Sequence, residues 1–412
     1  MTMKVLVTDA ATNHALALTR SLGARGIDVT ACDDRRLAKS FYSHFCHDSF
    51  VNPSPRASVS HFVESIVERA NAGRYDVLFP MTEKAILPLS LERHRLSPSV
   101  RMPIPSHDTI IRAFDKAAML ELAETLCIPT PKTVRVDAQT GLHAAAEQLG
   151  FPLAMKASTS ERFTKDDRML SAPSTRYVFR RDDLEHQYDR MQSSSGPKLL
   201  QEFVPGDGYG IFALFNGGQP RAWFAHRRLR DVVATGSGSA FRESIPIDSH
   251  MKEYAERLLK ALRWHGVAMV EFKLDSRDRV PKLMEVNGRF WNSLPLAVAA
   301  GMDFPFLLYR LAVDGDIDPV ESYEVGVRCR WLLGDLRHLI SVAQGPPAGW
   351  PGEFPRRWDT FRAVLRGFHP SVYDDDFVKG DVAPGLVGFV DFLANKVPAF
   401  VIGSGRSSIG RA

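Results

Sequence analysis

Two apolar runs that read as buried strands carry acids where a buried strand should carry none. Val267-Ala-Met-Val-Glu-Phe-Lys273 and Lys282-Leu-Met-Glu-Val-Asn-Gly-Arg289 are separated by the polar turn Asp275-Ser-Arg-Asp278, which predicts an antiparallel hairpin. Side chains two apart on a strand share a face. Met269, Glu271 and Lys273 therefore point one way, and Leu283, Glu285, Asn287 and Arg289 line one face of the second strand. A turn centred near Asp278 sets Glu271 opposite Glu285 as cross-strand neighbours. Two carboxylates so close, and buried, must share a proton or hold a cation between them. The amide oxygen of Asn287 favours the cation. An all-oxygen set of Glu, Glu and Asn suits hard Mg²⁺, which is commonly held by few protein ligands together with water and nucleotide phosphates. The competing reading is a surface hairpin with solvated acids and a packed Asn.

A chain of 412 residues exceeds a single typical core, so two or three domains are expected. The net charge of +4 is small for this length and makes no case for nucleic acid or membrane binding. Cys32, Cys46, Cys127 and Cys329 have no CxxC or zinc spacing and read as core thiols of a reducing compartment. With no signal-peptide pattern and no bilayer-length apolar run, a cytoplasmic protein is expected.

The chain opens as a βαβ unit: strand 4–8, helix 14–24 and strand 27–32. This predicts a Rossmann-like parallel sheet. The first turn reads Asp9-Ala-Ala-Thr-Asn13 rather than GxGxxG, which disfavours a nicotinamide oxidoreductase. Asp33 then reads as a capping or solvated acid, and Glu83 as a complement to a helix dipole. The proline-punctuated stretch 101–106 marks a boundary near 105. Lys116 falls within a helix running to about Leu126, and Lys156 ends a buried strand. The polar stretch 158–174 reads as a mobile flap. Pro205-Gly-Asp-Gly-Tyr-Gly210 reads as a turn or hinge whose backbone could meet an adenine edge. His226, Arg228 and Arg230 share a strand face suited to phosphate or carboxylate, or simply to solvent. Thr235-Gly-Ser-Gly-Ser239 is a polar loop or lid. From about Asp314 no chemical motif is legible, and the tail from Gly403 reads as disordered.

Taken in order, Phe114-Asp-Lys116, Pro129-Thr-Pro131, Lys156, Gln201-Glu-Phe-Val-Pro-Gly206, Glu271 and Glu285-Val-Asn-Gly-Arg289 resemble the ATP-grasp superfamily, specifically its carboxylate-amine ligase-like members, over about residues 1–315. The resemblance implies an α/β and α+β multidomain fold. Residues 1–105 would form a Rossmann-like pre-ATP-grasp domain. Residues 106–315 would form the ATP-grasp domain, two α+β subdomains clasping ATP with a lid at about 132–203. Residues 316–412 would be a C-terminal extension.

It further implies that Lys116 and Lys156 contact ATP phosphates, that Glu202 and Val204 bond the adenine, and that Asp207 contacts the ribose. Glu271, Glu285 and Asn287 would bind two Mg²⁺ ions, or Mn²⁺ in their place. Arg289, assisted by Arg228, would stabilise an acyl phosphate or tetrahedral intermediate. The flap lacks the several glycines common in such loops, and no Glu follows the hinge at the usual distance. The implied activity is ATP-dependent amide formation from a small-molecule carboxylate and amine, amino acids among them, with His226 either helping to deprotonate the amine or serving as an ordinary edge-strand residue. A kinase, a carboxylase-like enzyme and a non-catalytic nucleotide-binding protein are the alternatives, and a homodimer is left open.

Overall fold

The computed structural model describes residues 3–191, 196–236, 238–351 and 353–403, with side chains described as far as Ala394. The tail expected to be disordered lies outside these residues from 404 onward. The N-terminal unit is a parallel sheet of β1 (Lys4–Val7), β2 (Asp28–Asp33), β3 (Asp48–Val51) and β4 (Val77–Phe79), in the order β3-β2-β1-β4. Its helices are α1 (Asn13–Gly23), α2 (Val59–Ala72) and α3 (Glu83–Leu91). β1 and β4 are continuous apolar runs because both faces of a parallel sheet are covered. In place of a glycine turn, Asp9 takes a left-handed backbone with φ 55° and the Asp33 carboxylate accepts from the Ala11 amide at 2.9 Å.

The single helix expected through Lys116 is two, α4 (His107–Phe114) and α5 (Lys116–Thr125). Asp115 is extended between them and its Oδ1 accepts from the Ala117 and Ala118 amides at 2.9 and 3.4 Å. Such an N-cap starts a new helix, so Lys116 stands at a helix beginning rather than on a helix flank.

The segment expected to form a lid is an antiparallel sheet of β5 (Thr133–Val136), β6 (Leu153–Ala157), β9 (Arg176–Val178) and β10 (Lys198–Glu202), in the order β5-β10-β6-β9. Between β6 and β9 projects a hairpin, β7 (Glu161–Phe163) and β8 (Met169–Ser171). The largest sheet holds β11 (Gly206–Asn216), β12 (Gln219–Arg230), β13 (Phe241–Ser244), β14 (Gly266–Asp275), β15 (Pro281–Asn287), β16 (Arg328–Arg330) and β17 (Val372–Asp374). Its order is β15-β14-β11-β12-β13-β16-β17. One face packs Ile211, Ala213 and Phe272 on the helix Ser249–Ala261; the other packs Phe212, Phe224 and Met269 on the helices Leu294–Ala299 and Phe304–Asp314 and on the N-terminal unit.

Two features differ from the sequence reading. The glycine-rich stretch after Pro205 is strand, since β11 begins at Gly206. The segment set apart after residue 315 supplies β16 and β17, so it completes the large sheet instead of standing beside it. Those strands are three residues each and rich in charge, and hydropathy does not reveal them. Arg242 on β13 pairs with Asp375, while Arg330 lies 3.5 Å from Asp335 and 3.6 Å from Asp374. Among the described residues no helix is long and apolar enough to cross a membrane.

Candidate active site

β14 and β15 pair antiparallel with Glu271 opposite Glu285 and Met269 opposite Asn287. A bulge follows Glu271, so Leu283 meets Phe272 in the core instead of sharing the face of Glu285. The neighbouring β11 presents Gly208 and Gly210 at alternate positions. A Cβ at Gly210 would lie 2.6 Å from the Phe212 ring and 3.0 Å from His226, and one at Gly208 would touch the Arg228 guanidinium at 3.4 Å. Bare backbone therefore lets Arg228 lie over β11 and reach the Glu271 carboxylate at 2.6 Å. The glycine pattern serves close approach of side chains rather than a turn. His226 is 1% exposed and neither ring nitrogen has a partner among the described residues; burial pushes its pKa well down.

The two facing acids are electrostatically unequal. Burial pushes the Glu271 carboxyl up and the charge of Glu285 adds to the rise, against the pull of Arg228. Burial works on Glu285 too, but Lys116, Lys156, a hydrogen bond donated by Asn287 and the charge of Arg289 outweigh it and hold the group below its ordinary range. The Asn287 amide donates to Glu285 at 3.0 Å and its oxygen accepts from Arg289 at 3.1 Å. Among the described residues no group of three or more His, Cys, Asp or Glu is placed to hold a metal. The donor set is two carboxylates and an amide, and the rise in Glu271 caused by Glu285 is what a bound cation would relieve. These residues fit a hard divalent ion that takes its remaining oxygens from water and phosphate.

Both lysines converge on Glu285. The Lys116 amide donates to the Ser158 carbonyl at 2.9 Å and its Nζ to Ser160 Oγ at 3.0 Å. Ser158 Oγ in turn donates to the Asp115 cap, tying the start of α5 to the end of β6. Lys156, on β6, donates to Gln201 Oε1 at 2.8 Å, and burial lowers its pKa.

The hinge residues are placed less uniformly. The Glu202 carboxylate is bound to the Lys132 amide and to Arg277, both at 3.1 Å. The Val204 carbonyl accepts from Lys273 Nζ at 2.9 Å. Asp207 is exposed at the start of β11 and is not brought to the facing acids. Sequence reasoning missed the aromatic wall beside this hinge. Phe203 meets Tyr177 of the lid and Trp350 edge-on, with ring centroids 5.8 and 6.3 Å apart. Trp350 comes from the segment after 315, where no local pattern marks it.

On the N-terminal side, Lys116, Glu285, Asn287 and Arg289 border a cavity of about 370 Å³. His14, Thr82, Glu83, Ser160 and Glu161 line it as well. Glu83 lies 3.5 Å from Arg289, so an acid at a helix start serves as an ion-pair partner of a residue 206 positions later in the chain. The flap is a hairpin docked on the N-terminal unit. The Asp167 carboxylate accepts from Ser58 Oγ at 2.7 Å and the Ser60 amide at 3.0 Å, at the start of α2.

His14 is buried between Asn292 Oδ1 and the Met81 carbonyl, each 3.0 Å from a ring nitrogen. Burial, helped by the charge of Arg289, lowers its pKa to about 4. The unfolded chain therefore binds this proton at higher pH than the folded one. Stability is fully present above about pH 6.5 and falls as the pH drops toward 4, by roughly 3 kcal/mol from this group. Denaturant unfolding of wild type and His14→Asn at pH 7 and pH 4 should show a smaller pH-dependent loss in the variant. Equal losses would contradict the assignment.

Residues 195–334 match the model of a family described as ATP-grasp in the biosynthetic pathway with Ter operon. No curated protein matches the chain. Among solved structures, N5-carboxyaminoimidazole synthetase from Staphylococcus aureus is similar at TM-score 0.61 and 15% identity, covering 80% of this chain and 82% of that one. Biotin carboxylase from Campylobacter jejuni, complexed with β-γ-ATP, is similar at 0.61 and 17%, covering 79% and 74%. The biotin carboxylase domain dimer of Hydrogenobacter thermophilus 2-oxoglutarate carboxylase, complexed with MgADP, ADP and bicarbonate, is similar at 0.61 and 14%, covering 80% and 74%. The chain has the ATP-grasp fold, and the segment that carries Glu271, Glu285, Asn287 and Arg289 lies within the stretch that matches an ATP-grasp family model.

Proposed function

We propose that the protein is an ATP-dependent ligase that joins a small carboxylic acid to an amine through an acyl phosphate, releasing ADP and phosphate. The observation that carries this reading is the convergence of Lys116, Lys156, Arg228 and Arg289 on two facing, half-buried carboxylates. Glu271, Glu285 and Asn287 would hold Mg²⁺, two ions in this reading with Mn²⁺ as a substitute. Bound metal would neutralise phosphate charge that otherwise opposes attack by a carboxylate.

The chain's own residues do the rest. Lys116 and Lys156 offer donors to the phosphates from the lid side. Arg228, 2.6 Å from Glu271, opposes the rise that burial causes in its carboxyl. Arg289, anchored by Asn287 and Glu83, presents fixed positive charge to oxyanions that develop during transfer. None of these steps uses a protein nucleophile. The aromatic wall of Tyr177, Phe203 and Trp350 supplies an apolar side for a base ring next to Val204.

Phosphate release from MgATP, followed with mass spectrometry of products, should require both an acid and an amine. Release with an acid alone, yielding a stable phosphorylated acid, would favour a kinase. Release with bicarbonate in place of an organic acid would favour a carboxylase, a reading supported by the similarity to carboxylase structures. Arg289→Ala should lower turnover by about 100- to 1000-fold, the scale of a lost oxyanion donor, with nucleotide affinity within about threefold of wild type. Lost nucleotide affinity with normal turnover would contradict the role given to Arg289.

A further inference from the structure

We infer that the helix Arg357–Arg366 docks the protein on an anionic lipid bilayer, its apolar stripe entering the headgroup region and its arginines meeting the lipid phosphates. The inference stands apart from the ligase reading. It concerns the segment after residue 315, where the sequence shows no chemical motif.

One side of this helix is committed to the fold. Thr360 and Val364 are buried, the helix packs on the helix Leu332–Gln344, and Arg357 donates to the Ala343 carbonyl at 2.7 Å. A second side is apolar and bare. Trp358, Phe361 and Leu365 recur at helical spacing, which aligns them on one stripe, and Phe368 follows past the helix end. Trp358 is 74% exposed and Phe368 is 62% exposed, with Phe361 and Leu365 exposed between them. These rings are held in place. Trp358 and Phe361 meet edge-on with centroids 6.2 Å apart, and the Arg330 guanidinium lies 3.7 Å from the centroid of the Phe368 ring. Single exposed apolar side chains are ordinary, but a contiguous patch of them marks an interaction site.

A third side is basic. Arg362 and Arg366, four apart, run beside the stripe, and Arg356 stands at the helix start. All three are exposed, and among the described residues none of them has an ion pair. Residues 356–369 hold four Arg against Asp359 alone, a local excess that the small net charge of the whole chain conceals. This combination selects the occupant. A second copy docked stripe to stripe would set its own arginines against these, with only Asp359 of each copy to meet them. An anionic bilayer supplies an apolar layer for the Trp, Phe and Leu side chains and a plane of phosphates for the guanidiniums. Trp is enriched at that boundary.

The test is co-sedimentation of the full-length protein with vesicles of phosphatidylcholine alone and of phosphatidylcholine mixed with phosphatidylglycerol. Binding to the mixed vesicles should be at least about tenfold tighter than to the neutral ones and should weaken as salt is raised. Arg362→Gln with Arg366→Gln should weaken it about thirtyfold, since each basic residue near an anionic surface contributes about fivefold. Trp358→Ser with Phe361→Ser should weaken it at least about tenfold. Thermal unfolding should show both double variants as stable as wild type, because the changed side chains are exposed. Brominated acyl chains should quench tryptophan fluorescence in wild type and less in Trp358→Phe, which keeps the apolar stripe and the binding. Absence of binding, equal affinity for neutral and mixed vesicles, or affinity that both double variants retain would overturn the inference. Self-association that Trp358→Ser removes, without vesicle binding, would assign the stripe to a second copy and overturn it as well.

Discussion

Replacing Glu285 by glutamine is expected to lower magnesium-dependent ADP formation more than about a thousandfold, since that loss corresponds to the several kcal/mol a metal contributes to charge stabilisation. Glu285 is the one member of the facing pair whose charge its surroundings favour, through Lys116, Lys156, Asn287 and Arg289. Glutamine keeps the volume and an oxygen but not the charge, so the site loses its better anion while Glu271 remains tied to Arg228. The fold should persist because the substitution also removes repulsion between two covered carboxylates. Coupled-enzyme assay of ADP and thermal unfolding of the same preparation check both halves. Activity near wild type would remove Glu285 from the site.

Asp375→Ala should destabilise the protein by about 3–5 kcal/mol, because it strands Arg242 as an unpaired charge in the interior. Both side chains are at most 1% exposed. Asp375 also accepts from Asn13 at 3.0 Å and from Cys329 Sγ at 3.1 Å, so the same carboxylate joins the large sheet to α1. Nearby, Asp376 accepts from Trp331 Nε1 at 3.0 Å and pairs with Lys39 at 2.6 Å. Asp381 pairs with Arg20 at 2.7 Å. Removing both charges, as Arg242→Met with Asp375→Leu, should recover most of the loss, since a well-packed apolar pair avoids the desolvation cost. Chemical denaturation of the single and double variants measures this directly. A single-variant loss below about 1 kcal/mol would mean that water reaches Arg242.

The facing acids were legible in the sequence because they violate a simple rule: period-two apolar strands should not alternate with carboxylates on a covered face. The register followed from the turn, whereas roles for Lys116, Lys156 and the hinge were implied only by the family resemblance. What was not legible depends on contacts between distant segments. Glu83 and Glu161 look like ordinary polar residues until the N-terminal unit and the flap close on Arg289. Trp350 has no local signature. The strands β16 and β17 are too short and too charged for hydropathy to mark, and their ion pairs are visible only once β13 and α1 are beside them. The bulge after Glu271 moved Leu283 into the core, a one-residue change that alternation alone does not reveal. The break at Asp115 was readable in principle, since an Asp followed by Lys-Ala-Ala is an N-cap pattern, but continuous apolar spacing across it masked the cap.

The central claim is that ATP activates a carboxylate at the Glu271–Glu285 hairpin. It is tested most directly by following oxygen from the acid to the phosphate. Amino acids equilibrated with ¹⁸O-water carry label in their carboxylates; incubated with MgATP, an amine and the enzyme, they should yield inorganic phosphate bearing one ¹⁸O per turnover, and none with Glu285→Gln. Phosphate released at the full rate without label would contradict it.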